Sequence, residues 1–380
     1  MDPQTKARRE PRILAIVLAG GAGGRLGALT DHRAKPVLPV GGSFRLIDIP
    51  LSNLHHSGIS DVWVLEQYRA KTINDHLRNG RPWDLDRTRG GLLVLPPFSG
   101  GDGEGFAEGN ADGLLRQADA IRDFAPDLVL VLSADHLYRL DYRDVVATHL
   151  DSGAGLTVVT VDFDGDASAH GVVEVDDDGR VTDFAYKPET PRTRIVTTEI
   201  FLYSAETLLH ALEHLEATRD GLGDYGDHLV PHLVERGSVV EHRLHGYWRD
   251  LGTPSNYLRA HLDLLDGEGL DLSDPAWPIL TEPAELAPAF IGDGAVVGAS
   301  LVAPGARVHG TVRRSVVGSG ATVEAGALVE DSVLLNRVRV TAGAVVRHAV
   351  VDSDAVVDGE RLGAGPDEPA VVGRDGRIDD

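Results

Sequence analysis

The chain has no cysteine. That excludes disulfides, thiolate zinc sites and cysteine nucleophiles together, and leaves hard, oxygen-ligated cations, magnesium first, as the metal chemistry open to it. No apolar run approaches the roughly eighteen residues needed to cross a bilayer. The opening MDPQTKARREPR lacks the apolar stretch and small-residue cleavage site of a secretory signal. The expectation is a cytoplasmic protein with no membrane partner. Bases are scarce: 36 Lys and Arg face 59 Asp and Glu, a formal net charge of −23. Such a field repels nucleic acid, which argues against a polymer partner. It also repels phosphorylated small molecules, so a site for them must gather its few cations locally.

At 380 residues the chain exceeds what one hydrophobic core usually organises, and two domains are expected. From Arg12 to about Gly252, short apolar runs such as ILAIVL (Ile13–Leu18), VWVL (Val62–Leu65) and LVLVL (Leu128–Leu132) alternate with polar loops and helical patterns, the signature of an α/β fold with a mostly parallel sheet. Thr253-Pro254 reads as an N-cap followed by proline at the first helical position, and the helix it starts ends the first domain near Leu265. A Gly/Asp/Pro-rich linker covers 266–288. From 289 the texture changes: valines recur six apart (Val302 and Val308; Val317, Val323 and Val329; Val340 and Val346; Val351 and Val357) with Gly and Ala between them. That period fits a left-handed parallel β-helix, in which each coil has three short sides with one aliphatic residue pointing inward from each. The predicted organisation is a disordered tail over 1–11, an α/β domain over 12–265, the linker, a β-helix over 289–359 and a disordered tail over 360–380.

The strongest local motif is LAGGAGGRL (Leu18–Leu26), directly after the first strand. A glycine-rich loop there exposes backbone N–H groups to phosphate oxygens at the carboxyl end of a parallel sheet. It carries Arg25, and Lys35-Pro36 follows ten residues on, yet it matches neither GxxxxGK[ST] nor a dinucleotide fingerprint. Two carboxylates stand out by position, Asp135 after the LVLVL strand and Asp250 after Trp248-Arg249. Aspartates at sheet ends can jointly hold a hydrated Mg²⁺, although a helix cap or a surface charge is the more ordinary role for either alone.

These segments resemble a known family. GGAGGRLGALTDHRAKPVLPVGG followed by FRLIDIPLSN, then EQY (Glu66–Tyr68), GNADG (Gly109–Gly113), ADHLYRLDY (Ala134–Tyr142), YKP (Tyr186–Pro188), YWRDLGT (Tyr247–Thr253) and WPI (Trp277–Ile279) are similar to the ADP-glucose pyrophosphorylases, or glucose-1-phosphate adenylyltransferases. The resemblance runs from about Ile13 to Val357. It implies a nucleotidyltransferase domain of Rossmann-like type before the β-helix, and the reaction of ATP with α-D-glucose 1-phosphate to ADP-glucose and pyrophosphate in glycogen or related α-glucan synthesis. By the same resemblance, Arg25, Lys35 and Asp135 are catalytic, and Asp135 and Asp250 hold Mg²⁺. Leu18, Ala19, Gly20, Gly21, Gly23, Gly24, Gln67 and Gly109 bind the nucleotide, with Gln67 and Gly109 near the base. Gly171, Tyr186, Lys187 and Thr197 bind the sugar phosphate, and the protein is a homotetramer.

The sugar side departs from the family pattern. Tyr186 replaces a glutamate before the lysine, Ala107 and Glu108 replace a tyrosine and an arginine, and Thr197-Thr198-Glu199 stands where the family has SMG, putting an acid in place of a close-approach glycine. DYGDH (Asp224–His228) lacks a lysine of the family motif, and His32 takes the place of a lysine that helps bind an activator in some members. Two alternatives therefore stand beside the glucose reading: a pyrophosphorylase for a different sugar phosphate or nucleotide, and a non-catalytic regulatory paralogue. Retention of Arg25, Lys35, Asp135, Lys187 and Asp250 weighs against the last.

Overall fold

The structure is a computed structural model that describes residues 9–21, 23–96, 107, 109–219 and 221–379. Most of the expected N-terminal tail, and Glu108, lie outside the described residues.

One nine-stranded sheet organises the first two thirds of the chain. Its strands are β1 (Ile13–Ala19), β2 (Asp61–Glu66), β3 (Gly91–Leu95), β4 (Leu128–Ser133), β5 (Leu156–Asp162), β6 (Gly171–Val175), β7 (Val181–Tyr186), β8 (Ile195–Ser204) and β9 (Val239–Arg243). They run in the order β7-β6-β8-β4-β1-β2-β3, with β5 also paired to β8 and β9 to β5. The strands β3, β2, β1 and β4 are mutually parallel, and β8 lies antiparallel beside β4. The apolar runs become these central strands because both faces are covered: Leu14 to Val17 and Val129 to Leu132 are essentially inaccessible, and a separate apolar cluster fills each side of the sheet. The Asp178-Gly179 turn between β6 and β7 forms an antiparallel hairpin with Gly179 at φ 78°, the conformation glycine adopts without strain.

The helix Pro254–Asp266 ends this unit. The Thr253 hydroxyl caps its start by accepting the Asn256 N–H, and Gly267 closes it at φ 75°. Residues 267–288 contain no helix or strand and lie back on the first unit, where Trp277 Nε1 donates to Asn53 Oδ1 at 2.8 Å and Trp83 Nε1 donates to the Leu280 carbonyl at 3.0 Å. Among the described residues, no helix is long and apolar enough to cross a membrane.

From Phe290 the chain winds through three parallel five-stranded sheets, the sides of a β-helix. The six-residue valine period has a direct structural meaning. Val308, Val323, Val340 and Val357 stack in register on one side, Val312, Val329 and Val346 on the second, and Val317, Leu334, Val351 and Val372 on the third. All are buried, each contributing about 1.5–3 kcal/mol of apolar transfer free energy. The coil continues beyond the expected end at 359. Glu360–Leu362 and Ala370–Val372 are strands, and the chain then turns at Gly373–Gly376 and runs back to a bridge between Val372 and Ile378. The expected disordered tail over 360–380 is instead, through its described residues, a last, irregular coil whose Gly, Asp and Pro residues sit in tight turns. Val316, Val333, Leu335 and Val350 face the first unit and join its apolar cluster, so the two units share packing.

Candidate active site

Strand register brings distant segments to one edge. Ala19 lies opposite Glu66 and Leu18 opposite Ser133, so the glycine-rich loop, Gln67 and Asp135 all emerge at the carboxyl ends of β1, β2 and β4. Because β8 runs the other way with Ile200 opposite Leu132, Glu199 reaches the same edge. Asp250 arrives by a second pairing: the short strands His136–Tyr138 and Trp248–Asp250 are antiparallel with His136 opposite Asp250, and Leu251 N–H donates to the Asp135 carbonyl.

The resulting cleft has a volume of about 350 Å³. Leu18, Gly20, Gly21, Lys35, Gln67, Gly109 and Asp135, all singled out by sequence, line it. Two of its glycines stand where a side chain would collide. A Cβ on Gly20 would come within 2.9 Å of the Gln67 side chain, and one on Gly109 within 2.2 Å of the Gly223 backbone. Gly109 precedes the helix Asn110–Leu115, and Asn110 Oδ1 accepts the Tyr225 N–H at 2.7 Å, closing one end of the cleft. Ala19 is wholly buried within β1, and Gly23 and Gly24 stand outside the cleft, at the start of the turn Gly24–Thr30.

Lys35, only 7 % exposed at its side chain, donates to Asp135 Oδ2 at 2.7 Å and stands 3.5 Å from Asp250 Oδ1. Burial disfavours its charge, but Asp135 and Asp250 outweigh it and raise the Lys35 pKa above its ordinary value. Burial likewise opposes the Asp135 carboxylate; His136, Lys35 and the Ser133 hydroxyl overcome this and hold it well below the usual carboxylate range. His136 Nε2 lies 3.3 Å from Asp135 Oδ1 and 3.8 Å from Asp250 Oδ1. Asp250 Oδ1 is buried without a hydrogen-bond partner, and Asp135, His136 and Glu199 each bring a ligand atom within 4.8 Å of the others. Carboxylate oxygens, one of them buried with hydrogen-bonding capacity to spare, suit a hard divalent cation. Arg25 and Asp250 do not line the cleft, but both side chains approach Gly252: a Cβ there would lie 2.8 Å from Arg25 Nη2 and 2.9 Å from Asp250 Oδ2.

Gly171, Tyr186, Lys187 and Thr197, expected at the sugar phosphate, do not line the cleft, whereas Ala107 and Glu199 do. Tyr186 Oη donates to Asp224 Oδ2 at 3.0 Å and accepts from Lys187 Nζ at 2.8 Å, and Asp224 itself lines the cleft. Thr197 Oγ1 is buried without a partner, and a Cβ on Gly171 would meet it at 2.9 Å. Glu199 occupies the left-handed region at φ 57°, where β8 changes register between Thr197 and Phe201. This conformation costs an L-residue about 1 kcal/mol or more. Burial, followed by the Asp135 charge, raises its pKa, while a hydrogen bond with Tyr225 acts against the rise. His136 and Ser133 carry no role in the sequence reading, and Asp224 and Tyr225 figure there only within DYGDH. His136 had one legible signal, its place directly after Asp135.

A glycine-rich loop, two aspartates and a buried lysine meet at the carboxyl ends of these strands, and the domain that carries them is a nucleotidyl transferase. Residues 14–267 match the family model described as Nucleotidyl transferase, and residues 282–371 match the GlmU-like, C-terminal hexapeptide model. The chain is 33 % identical over 353 residues to the glucose-1-phosphate adenylyltransferase of Bacillus thuringiensis (strain Al Hakam), covering 92 % of this chain and 94 % of the relative. It is 38 % identical over 321 residues to the enzyme of the same name from Thermotoga maritima, covering 83 % and 76 %. The chain belongs to the glucose-1-phosphate adenylyltransferase family.

Proposed function

We propose that the protein joins ATP to α-D-glucose 1-phosphate, releasing pyrophosphate and forming ADP-glucose for α-glucan synthesis, as a cytoplasmic homo-oligomer. The observation that carries this reading is the Lys35–Asp135–Asp250 cluster, of which Lys35 and Asp135 line the cleft together with Gly20, Gly21 and Gly109. The sugar's phosphate oxygen attacks the α-phosphorus in line and pyrophosphate departs, so no protein nucleophile is needed and catalysis rests on positioning and charge neutralisation. The N–H groups of Gly20 and Gly21 face the phosphates, with Leu18 beside them, while Gln67 and Gly109 bound the adenine end. Arg25 and Lys35 neutralise the triphosphate, and Lys187 holds the sugar phosphate near Gly171 and Thr197. Asp135 and Asp250 are the residues that would hold Mg²⁺, which when bound supplies charge neutralisation at the α-phosphate.

One observation favours a second reading, a pyrophosphorylase for another sugar phosphate: Glu199 and the Tyr186–Asp224 pair put carboxylates beside the sugar end. Pyrophosphate release with Mg²⁺, measured across a panel of nucleoside triphosphates and sugar 1-phosphates, separates the two. Turnover highest with ATP and glucose 1-phosphate supports the first, and turnover with another pair alone supports the second. No turnover with any pair, from folded protein that binds nucleotide, leaves a regulatory role.

A further inference from the structure

The glycine-rich loop is held from the far end of the chain. After Val372 the backbone reverses: Gly373 N–H donates to the Arg377 carbonyl at 2.9 Å, Asp375 Oδ1 accepts the Arg377 N–H at 3.0 Å, and Asp379 N–H donates to the Val371 carbonyl at 2.7 Å. This hairpin is fastened to the β-helix by Arg361 Nε, which donates to the Gly376 carbonyl at 2.8 Å, and by Gly376 itself, at φ 77° with no room for a Cβ against the Val356 carbonyl. Its last described residue crosses to the first unit, where Asp379 Oδ2 accepts the Ala28 N–H at 2.8 Å.

The receiving segment is shaped for that carboxylate. Gly27 lies at φ 53° and ψ −135°, and a Cβ there would stand 2.4 Å from Asp379 Oδ2. The Thr30 hydroxyl, bridging to the Gly23 and Gly27 carbonyls at 3.1 Å each, ties the turn to the glycine-rich loop. Leu26 and Leu29 anchor it in the core, and between Gly24 and Leu26 projects Arg25. A second tie runs in parallel: Arg33 Nη1 donates to the Leu29 carbonyl at 2.9 Å and to Asp352 Oδ1 at 2.5 Å, with Asp352 wholly buried in the β-helix.

We infer that Asp379 is a positioning residue, a latch by which the last coil of the β-helix holds the Gly23–Thr30 segment, and with it Arg25, in the conformation that receives the triphosphate. The role at the triphosphate rests on the pyrophosphorylase reading; the latch itself does not. A carboxylate oxygen held on the Ala28 N–H biases the loop population towards one conformation, and apparent nucleotide affinity scales with the competent fraction.

The test uses the full chain with Asp379→Ala and Asp379→Asn, the latter keeping an acceptor oxygen. Hydrogen exchange of residues 23–30 is read without substrate, nucleotide affinity by calorimetry with ATP and Mg²⁺, and KM for ATP against kcat by pyrophosphate release. The alanine variant is expected to exchange faster in this segment and to weaken ATP binding and raise KM roughly tenfold, with kcat within about twofold, while the asparagine variant recovers most of the loss. Unchanged exchange in the alanine variant overturns the latch whatever the protein's substrate. Faster exchange with unchanged ATP affinity reduces the contact to a structural one and also overturns the inference. Should no sugar nucleotide form at all, the pyrophosphorylase reading fails while exchange and calorimetry still decide the latch.

Discussion

Lys35 Nζ lies 2.7 Å from Asp135 Oδ2 and 3.5 Å from Asp250 Oδ1, so one buried ammonium bridges two carboxylates brought to the site by separate strands. Removing it leaves two like charges facing each other at a partly buried site. Lys35→Met is expected to lower stability to urea by about 3 kcal/mol, in the range found for broken buried pairs. A divalent cation should restore part of that loss by replacing the missing charge. Urea melts with and without Mg²⁺ check it; equal stability of variant and parent in metal-free buffer contradicts the bridging role.

Glu199 combines a left-handed backbone with a carboxylate placed near Asp135. Glu199→Gly relieves the backbone strain and removes the charge, with an expected gain of about 1 kcal/mol in stability. KM for the sugar phosphate should fall several-fold while KM for ATP stays within twofold. A variant that instead loses sugar-phosphate affinity would make Glu199 a substrate contact.

His261 is buried, its Nε2 accepting the Gly41 N–H at 3.2 Å while Nδ1 faces the Tyr257 carbonyl at 2.8 Å. Those partners fit the neutral ring, and burial lowers its pKa to about 4. The unfolded chain takes up the proton first, near pH 6.5. Stability is therefore full above that pH and falls as pH drops towards 4, by roughly 2 kcal/mol between pH 7 and pH 5 from this one group. His261→Gln, which keeps a donor and an acceptor, should flatten the slope in that window; an unchanged slope rules the assignment out.

What was readable from the chain and what was not divides along physical lines. β1 and β4 declared themselves because strands buried on both faces must be continuously apolar, and the β-helix because stacking repeats its period. That period also misled at the end. The partners Val317, Leu334 and Val351 are seventeen residues apart, but the next, Val372, comes after twenty-one. The last coil carries an insertion and escaped the pattern. Asp135 and Asp250 were visible as carboxylates after strands, yet their meeting depends on two three-residue strands whose pairing leaves almost no local signal. The acid at Glu199 was legible as a departure, whereas its backbone conformation, set by the register change in β8, was not.

The central claim is tested most directly by running the reaction backwards: ADP-glucose and pyrophosphate are supplied with Mg²⁺, and ATP is measured as it forms. Parent protein is predicted to produce ATP in proportion to ADP-glucose consumed, and Asp135→Asn to be slower by at least about a hundredfold, the scale on which loss of a charge-stabilising group is felt. Failure of the folded, nucleotide-binding parent to make ATP, or equal rates in parent and variant, would contradict the account.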